Sequence, residues 1–311
     1  MERNQHGPPK EKMKKYFSKE KITIGVSAFG NLMATKNCIQ AIKNSVEGAY
    51  DVILIDDFSP DKGKIKDYFF NQKKEFKDIR VFHFSKNLGY TQSVNCVLSN
   101  SNSEKTIFVS NDMYINPYFI EELINISNID ENIGYVRGVS NFVDNNKSTH
   151  NIDLRDKINM HPNEIAKEIL SKEKNNFIEE DYLVGDTFLV NRKLLQTIGY
   201  FDCNNFKDYF GDTDFGVRAK ALDFKCILSK GAFCFHHRNI NFDYLPEVEK
   251  KKKLIRRQIT LAEDWARFKL KYNFPISLIY PGINKMDFDE IKNKVNKKDI
   301  IEKKDYSQYL I

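Results

Sequence analysis

The chain has 311 residues, 41% of them hydrophobic and 30% charged, enough for one large domain or one domain with an appendage. No apolar run approaches the ~18–20 residues of a spanning helix, and the Lys-rich start lacks the apolar stretch of a secretory signal. The formal charge of +6 suits anionic nucleotides, acidic glycans or a membrane surface, but no aromatic-basic platform marks a nucleic-acid partner. Five cysteines, odd in number and without a CxxC pair, fit reduced thiols and predict a cytoplasmic location.

Residues 1–20 are expected to form a flexible leader. Residues 22–26 (Ile-Thr-Ile-Gly-Val) read as a strand, followed by the small-residue turn Ser27-Ala28-Phe29-Gly30-Asn31. Asn31 is a natural N-cap for a helix marked by Thr35, Ile39, Ile42 and Val46, with Gly48 near its C-cap. A second strand, residues 52–55, ends in Asp56-Asp57-Phe58-Ser59-Pro60. A Lys-rich helical stretch over about 64–77 then leads to a third strand, residues 81–84. Asn87-Leu88-Gly89-Tyr90 is a turn before a helix through Val94, Val97 and Leu98. The fourth strand, Thr106-Ile107-Phe108-Val109, ends in Ser110-Asn111-Asp112, and Asn116-Pro117 opens the next helix. Four strand–helix repeats predict a parallel sheet covered on both faces, with carboxylates at two strand ends, where ligands of open α/β sheets bind. There is no GxGxxG after the first strand and no GxxxxGK[ST], which argues against a dehydrogenase and a P-loop NTPase.

The second half is less regular. Residues 135–139 and 187–190 read as strands, residues 140–163 as a polar loop with helix after Pro162, and residues 192–198 as a short helix. Asp212-Thr213-Asp214 opens a helix, where two carboxylates favour the dipole whatever else they do. Residues 226–228 and 233–235 read as two short strands, the second leading into His236-His237. From Pro246 to about Leu270, Leu254, Ile255, Gln258, Leu261, Ala262, Trp265 and Phe268 mark one face of a long helix. Lys250 to Lys253 with Arg256 and Arg257 mark a solvated basic face. A membrane-apposed or acceptor-binding role for that face is the minority reading. The Lys-rich tail beyond Pro281 is expected to be peripheral.

Taken in order, these stretches resemble the family 2 glycosyltransferases, enzymes of the GT-A fold, over roughly residues 21–240. Val52-Ile53-Leu54-Ile55-Asp56-Asp57-Phe58-Ser59 resembles the family's strand-Asp-Asp-x-Ser signature, and Asn87-Leu88-Gly89 with Asn95 its Asn-x-Gly…Asn segment. Phe108-Val109-Ser110-Asn111-Asp112 occupies the place of the DxD metal motif, in a variant similar to that of rhamnosyl- and glycan-type members. Ile198-Gly199-Tyr200-Phe201-Asp202 resembles the Gly-x-Phe-Asp turn, and Gly211-Asp212-Thr213-Asp214-Phe215-Gly216-Val217-Arg218 the Glu-Asp-x-Asp helix start. Ser110 stands in place of the first Asp of DxD, and Gly211 where a Glu often precedes the base. Fewer charged oxygens weaken a divalent metal site.

The resemblance implies an α/β fold of GT-A type with a mostly parallel central sheet and helices on both faces. Residues 21–125 would be its nucleotide-binding half, 126–240 its acceptor-binding half, and 241–311 a C-terminal helical extension. It implies inverting transfer from a nucleoside diphosphate sugar, UDP before dTDP, assisted by Mn²⁺ or Mg²⁺. By that resemblance Asp112 and His236 hold the metal and Asp212 is the general base. Ser27, Phe29, Asp57 and Asn87 line the nucleotide, and Asp186 reaches the donor sugar. Asp56 and Asp214 are expected to be supporting. The acceptor is a glycan, lipid-linked or protein hydroxyl, and peripheral association with the inner face of a cell membrane is compatible with the basic helix. Two rivals remain from the residues. A nucleotidyltransferase would need a Gly-rich, basic loop that Ser27-Ala28-Phe29-Gly30 lacks, and a catalytically silent binding relative is kept alive by Ser110 and Gly211.

Overall fold

The computed structural model describes residues 14–143, 148–157, 159–237 and 247–311. The first half is built from strands β1 (Tyr16–Ala28), β2 (Val46–Asp56), β3 (Ile79–His83) and β4 (Lys105–Ser110), interleaved with helices α1 (Leu32–Ser45), α2 (Lys64–Asn71) and α3 (Tyr90–Asn100). The short β5 (Met113–Tyr114) and α4 (Pro117–Ser127) follow. The second half adds β6 (Ile133–Ser140), α5 (Pro162–Glu173), β7 (Phe177–Glu180), β8 (Thr187–Asn191), α6 (Arg192–Ile198), α7 (Gly211–Ala221) and β9 (Lys225–His236). Two C-terminal helices, α8 (Glu247–Lys271) and α9 (Phe288–Asn293), complete it.

Among the described residues nine strands form one sheet in the order β3-β2-β1-β4-β8-β6-β9-β5, with β7 also on β9. From β3 to β4 every pairing is parallel, as four strand–helix repeats demand. Beyond β4 the sheet is mixed: β8 runs antiparallel to β4 and β6, while β6 and β9 are parallel. Because the sheet is covered on both faces, its strands are apolar on both. Val52 and Leu54 enter one core with Ile39 and Phe69, while Ile53 and Ile55 enter the other with Val94 and Val97. Gly25 lets α3 lie directly on β1, since a Cβ there would come within 2.1 Å of Val97. A third cluster, with Phe206, Phe210, Trp265, Phe268 and Tyr272, fastens α8 to α7.

Several expectations require correction. The leader ends earlier than residue 20: Tyr16, Phe17 and Ser18 extend β1 by pairing with Val46, Glu47 and Gly48. Gly48 is therefore inside β2, at φ 91, rather than at a helix C-cap. The two short strands expected after residue 225 are one, β9, whose pairing with β6 slips between Ser229 and Phe233. The tail is not peripheral either. Ile311 donates its N–H to Val81 at 2.9 Å, Leu310 bridges to Phe82, and Tyr306, 3% exposed, stacks on Phe84 at 6.0 Å. Tyr306 and Tyr309 pack on Phe84, more than two hundred positions earlier in the chain and out of reach of local periodicity.

Candidate active site

Strand ends β1, β2 and β4 open onto a cleft of about 1290 Å³ that is roofed by α8. Ser27, Phe29, Asp57, Asn87, Asp112, Asp186, Asp212 and His236, scattered over more than two hundred positions of sequence, all line it. The parallel strands bring the first five together, and the return of β8, α7 and β9 supplies the others.

At the end of β4 the chain turns sharply. Asn111 is buried, and its amide donates to the Gly30 carbonyl at 2.9 Å and the Thr35 hydroxyl at 2.8 Å. Of Ser110-Asn111-Asp112, Asp112 is then the carboxylate that the cleft receives. His236, at the end of β9, lies with Nε2 3.5 Å from Asp112 Oδ2, while Nδ1 faces the Phe142 carbonyl at 3.0 Å. Burial disfavours the imidazolium, but its hydrogen bond and attraction to Asp112, helped by Asp186 and the Phe142 carbonyl, outweigh burial and lift His236 to about 9. A carboxylate that draws a positive charge onto its neighbour is well suited to a cation between them. Asp112 and His236 thus fit a divalent ion as two protein donors, leaving its other positions to phosphate oxygens and water, as Mg²⁺ and Mn²⁺ prefer. No group of three or more His, Cys, Asp or Glu side chains with metal-binding geometry occurs among the described residues.

Asp212 lies in the first turn of α7. Phe210, immediately before that helix, has φ 61, a left-handed conformation rare for an aromatic residue. Packing against Phe268 at 5.0 Å and Trp265 at 5.6 Å holds it there. Gly211 has a physical reason to be glycine, since a Cβ would meet the buried Thr91 hydroxyl at 2.8 Å. Burial pushes the Asp212 carboxyl up, opposed by N–H bonds from Thr213 (2.8 Å) and Gly185 (3.0 Å). Asp214 is different: burial is outweighed by Arg218 and Lys271, which hold its carboxyl below the usual range. It bonds Arg218 and the Tyr272 hydroxyl, both at 2.7 Å, so its place is structural.

Asp57 is committed to the next loop, accepting from Asn87 Nδ2 (2.8 Å) and the backbone of Leu88 (2.6 Å) and Gly89 (2.9 Å). Burial nevertheless pushes it up to about 7. Its neighbour Asp56 is occupied by His83 at 2.8 Å and the Ser59 N–H at 2.9 Å. Phe29 is 39% exposed at the cleft, an aromatic face available for stacking.

Three features escape the sequence reading. Arg137, fully buried in β6, grips both oxygens of Asp186 at 2.7 Å and fixes it at the cleft wall. Its signal was an arginine inside the apolar run Tyr135-Val136-Arg137-Gly138-Val139, because a buried charge requires a partner. Asp264 of α8, also buried, accepts the N–H groups of Lys207, Asp208 and Tyr209 and so shapes the loop before Asp212. Finally, the basic face of α8 is not turned wholly to solvent. Leu254 and Ile255 are 50% and 60% exposed, whereas Lys253 and Arg257 line the cleft.

The glycosyl transferase family 2 model matches residues 23–199. No curated protein matches the chain. Among solved structures, the chain is similar to the mannosyltransferase PcManGT from Pyrobaculum calidifontis, in complex with GDP-Man and Mn²⁺. The TM-score is 0.52 at 13% identity, over 82% of this chain and 65% of that one. It is also similar to GalNAc-T7 with UDP, GalNAc and Mn²⁺ (TM-score 0.53, 12% identity, 70% and 44% of the two chains). A third such structure is TarS 1–349 of S. aureus (TM-score 0.51, 15% identity, 80% and 72%). The chain therefore spans less than two thirds of the first two. With the family model covering more than half of its length on a GT-A-like fold, the chain belongs to glycosyl transferase family 2.

Proposed function

We propose that the protein is an inverting, metal-assisted transferase that moves a sugar from a nucleoside diphosphate sugar to a hydroxyl of a glycan, lipid-linked or protein acceptor. The observation that carries this reading is the meeting of Asp112, His236 and Asp212 in one cleft with Ser27, Phe29, Asp57, Asn87 and Asp186. A divalent ion held by Asp112 and His236 would neutralise the charge that develops on the diphosphate as the sugar–phosphate bond breaks. Asp212 takes the proton of the acceptor hydroxyl while that oxygen attacks the anomeric carbon from the face opposite the leaving group, which inverts its configuration. The burial that pushes Asp212 up strengthens it as a base. Asp186, clamped by Arg137, offers a fixed acceptor to a donor-sugar hydroxyl, and Ser27 and Phe29 line the base and ribose. UDP is the first choice of nucleotide and dTDP the second. GDP joins the test because one structural neighbour carries GDP-Man.

The small donor set at Asp112 favours, as a second reading, a relative that binds sugar nucleotide without turning it over. Nucleotide-sugar turnover with Mn²⁺ separates the two. Asp212→Asn is expected to lower turnover by about 10²–10⁴-fold while leaving donor binding intact. Unchanged turnover in that variant removes Asp212 from the base role, and wild-type binding with no turnover of any donor or acceptor supports the binding-only reading.

A further inference from the structure

Seven of the fifteen large hydrophobic side chains exposed among the described residues fall between residues 248 and 279, on α8 and the loop that follows it. Most of them form a row. Val248, Ile255, Ile259, Ala262, Ala266 and Leu270 follow one another at gaps of seven, four, three, four and four, which keeps them on one face of the helix. Val248, Ile255, Ile259 and Leu270 are 64%, 60%, 53% and 72% exposed, and the two alanines are exposed as well. This face lies half a turn from Leu261, Trp265 and Phe268, which close the third core, so α8 is apolar on two opposite sides and the fold covers one of them. A single exposed aliphatic side chain needs no explanation, but a row about six turns long marks an interaction surface. Lys269 ties the next loop back by bonding the Ile276 carbonyl and, at 3.2 Å, the Leu278 carbonyl. That sets Ile276 and Ile279, 81% and 84% exposed, beside the C-terminal end of the row.

Charge decides which partner fits. Residues 247–257 hold six basic side chains against two acidic ones, and residues 258–271 hold three against two. Lys250 and Lys252 bond Glu247 and Glu249 within the helix, both at 3.0 Å, and the surplus is positive with those pairs counted. A second copy of the chain would set one net-positive helix against another in either direction of pairing, whereas an anionic surface complements the helix along its whole length. Lys251 on one side of the row, and Lys252 with Arg256 on the other, can lay their stems on an apolar layer and keep their charges among headgroups. No helix of the described residues is long and apolar enough to cross a membrane, so α8 would lie on the surface.

We propose that the outward face of α8 docks on an anionic lipid bilayer, with Val248, Ile255 and Ile259 at the acyl-chain boundary and the flanking basic side chains on lipid phosphates. The inference stands apart from the donor reading. Because Ile259 also lines the cleft, docking sets the cleft mouth beside the bilayer.

Flotation of the full chain with equimolar phosphatidylcholine–phosphatidylglycerol vesicles, and with vesicles of phosphatidylcholine alone, tests this at low and raised salt. The protein is expected to bind the anionic vesicles, to release as salt screens the charges, and to bind phosphatidylcholine at least tenfold more weakly. Val248 and Ile255 do not line the cleft, and the variant Val248→Ser/Ile255→Ser should bind the anionic vesicles about a hundredfold more weakly with its unfolding midpoint unchanged. Lys251→Glu should weaken binding and flatten its salt dependence. Ile129→Ser, which removes an aliphatic side chain 52% exposed elsewhere on the surface, should bind as the wild type does. Absence of flotation, equal binding to both kinds of vesicle, or full binding by the double serine variant overturns the proposal. So does a wild-type dimer that this variant splits while neither protein floats, which would give the row to a second copy of the chain.

Discussion

At the scale of single residues, the cleft is a set of carboxylates kept in different states by their surroundings. Asp214 is paired and structural, Asp57 is buried among backbone donors at about 7, and Asp212 is raised by burial. His236 is the residue whose titration is most readily measured. Its folded value of about 9 lies above the ordinary 6.5, because burial, which opposes the imidazolium, is outweighed by Asp112, Asp186 and the Phe142 carbonyl acting together. In the metal-free protein this interaction therefore adds stability that is complete below pH 6.5 and fades as pH rises through about 9. A metal ligated by Nε2 must displace that proton. Mn²⁺ affinity is accordingly expected to rise by about tenfold per pH unit between about pH 7 and 9, and to lose this dependence in His236→Ala. A flat pH profile in wild-type calorimetry would remove His236 from the metal site. That Asp112, Asp212 and His236 lie at strand or helix ends was legible because each stands in a local pattern beside such an end. Arg137 and Asp264 were not, because their partners, Asp186 and the loop at 207–209, lie 49 to 57 positions away.

At the scale of elements, strands and helices of the first half were legible because each buries apolar residues at its own period. The errors fall where a partner strand or a distant core overrides that period. Tyr16–Ser18 looks polar and leader-like, yet β2 pairs with it. The tail looks like a charged appendage, yet Tyr306 and Tyr309 cover Phe84, and the Tyr306 hydroxyl reaches Gln92 at 2.6 Å. Tyr306→Ala is expected to cost about 3–5 kcal/mol, the range for removing a large buried aromatic. Denaturant unfolding measures it, and a loss below about 1 kcal/mol would mean that the tail is only lightly held. Helix α8 teaches a similar lesson. Its length and the inward turn of Leu261, Trp265 and Phe268 were readable, but the exposure of Leu254 and Ile255 and the turn of Lys253 and Arg257 toward the cleft were not.

At the scale of the whole molecule, the parallel half presents its strand ends to one side and the mixed half returns α7 and β9 to the same side. The cleft therefore joins residues from both halves, and α8 with residues 280–285 closes over it. This cleft is expected to hold a nucleoside diphosphate through a metal at Asp112. The most direct test is thermal unfolding of wild type and Asp112→Ala with UDP, dTDP, GDP and CMP, each with and without Mn²⁺. A ligand at a hundredfold excess over its dissociation constant stabilises the native state by about 2.7 kcal/mol, a readily measured shift. A Mn²⁺-dependent rise with one of the diphosphates, largely lost in Asp112→Ala, is the expected result. No rise with any nucleotide, or an equal rise in the variant, would contradict it.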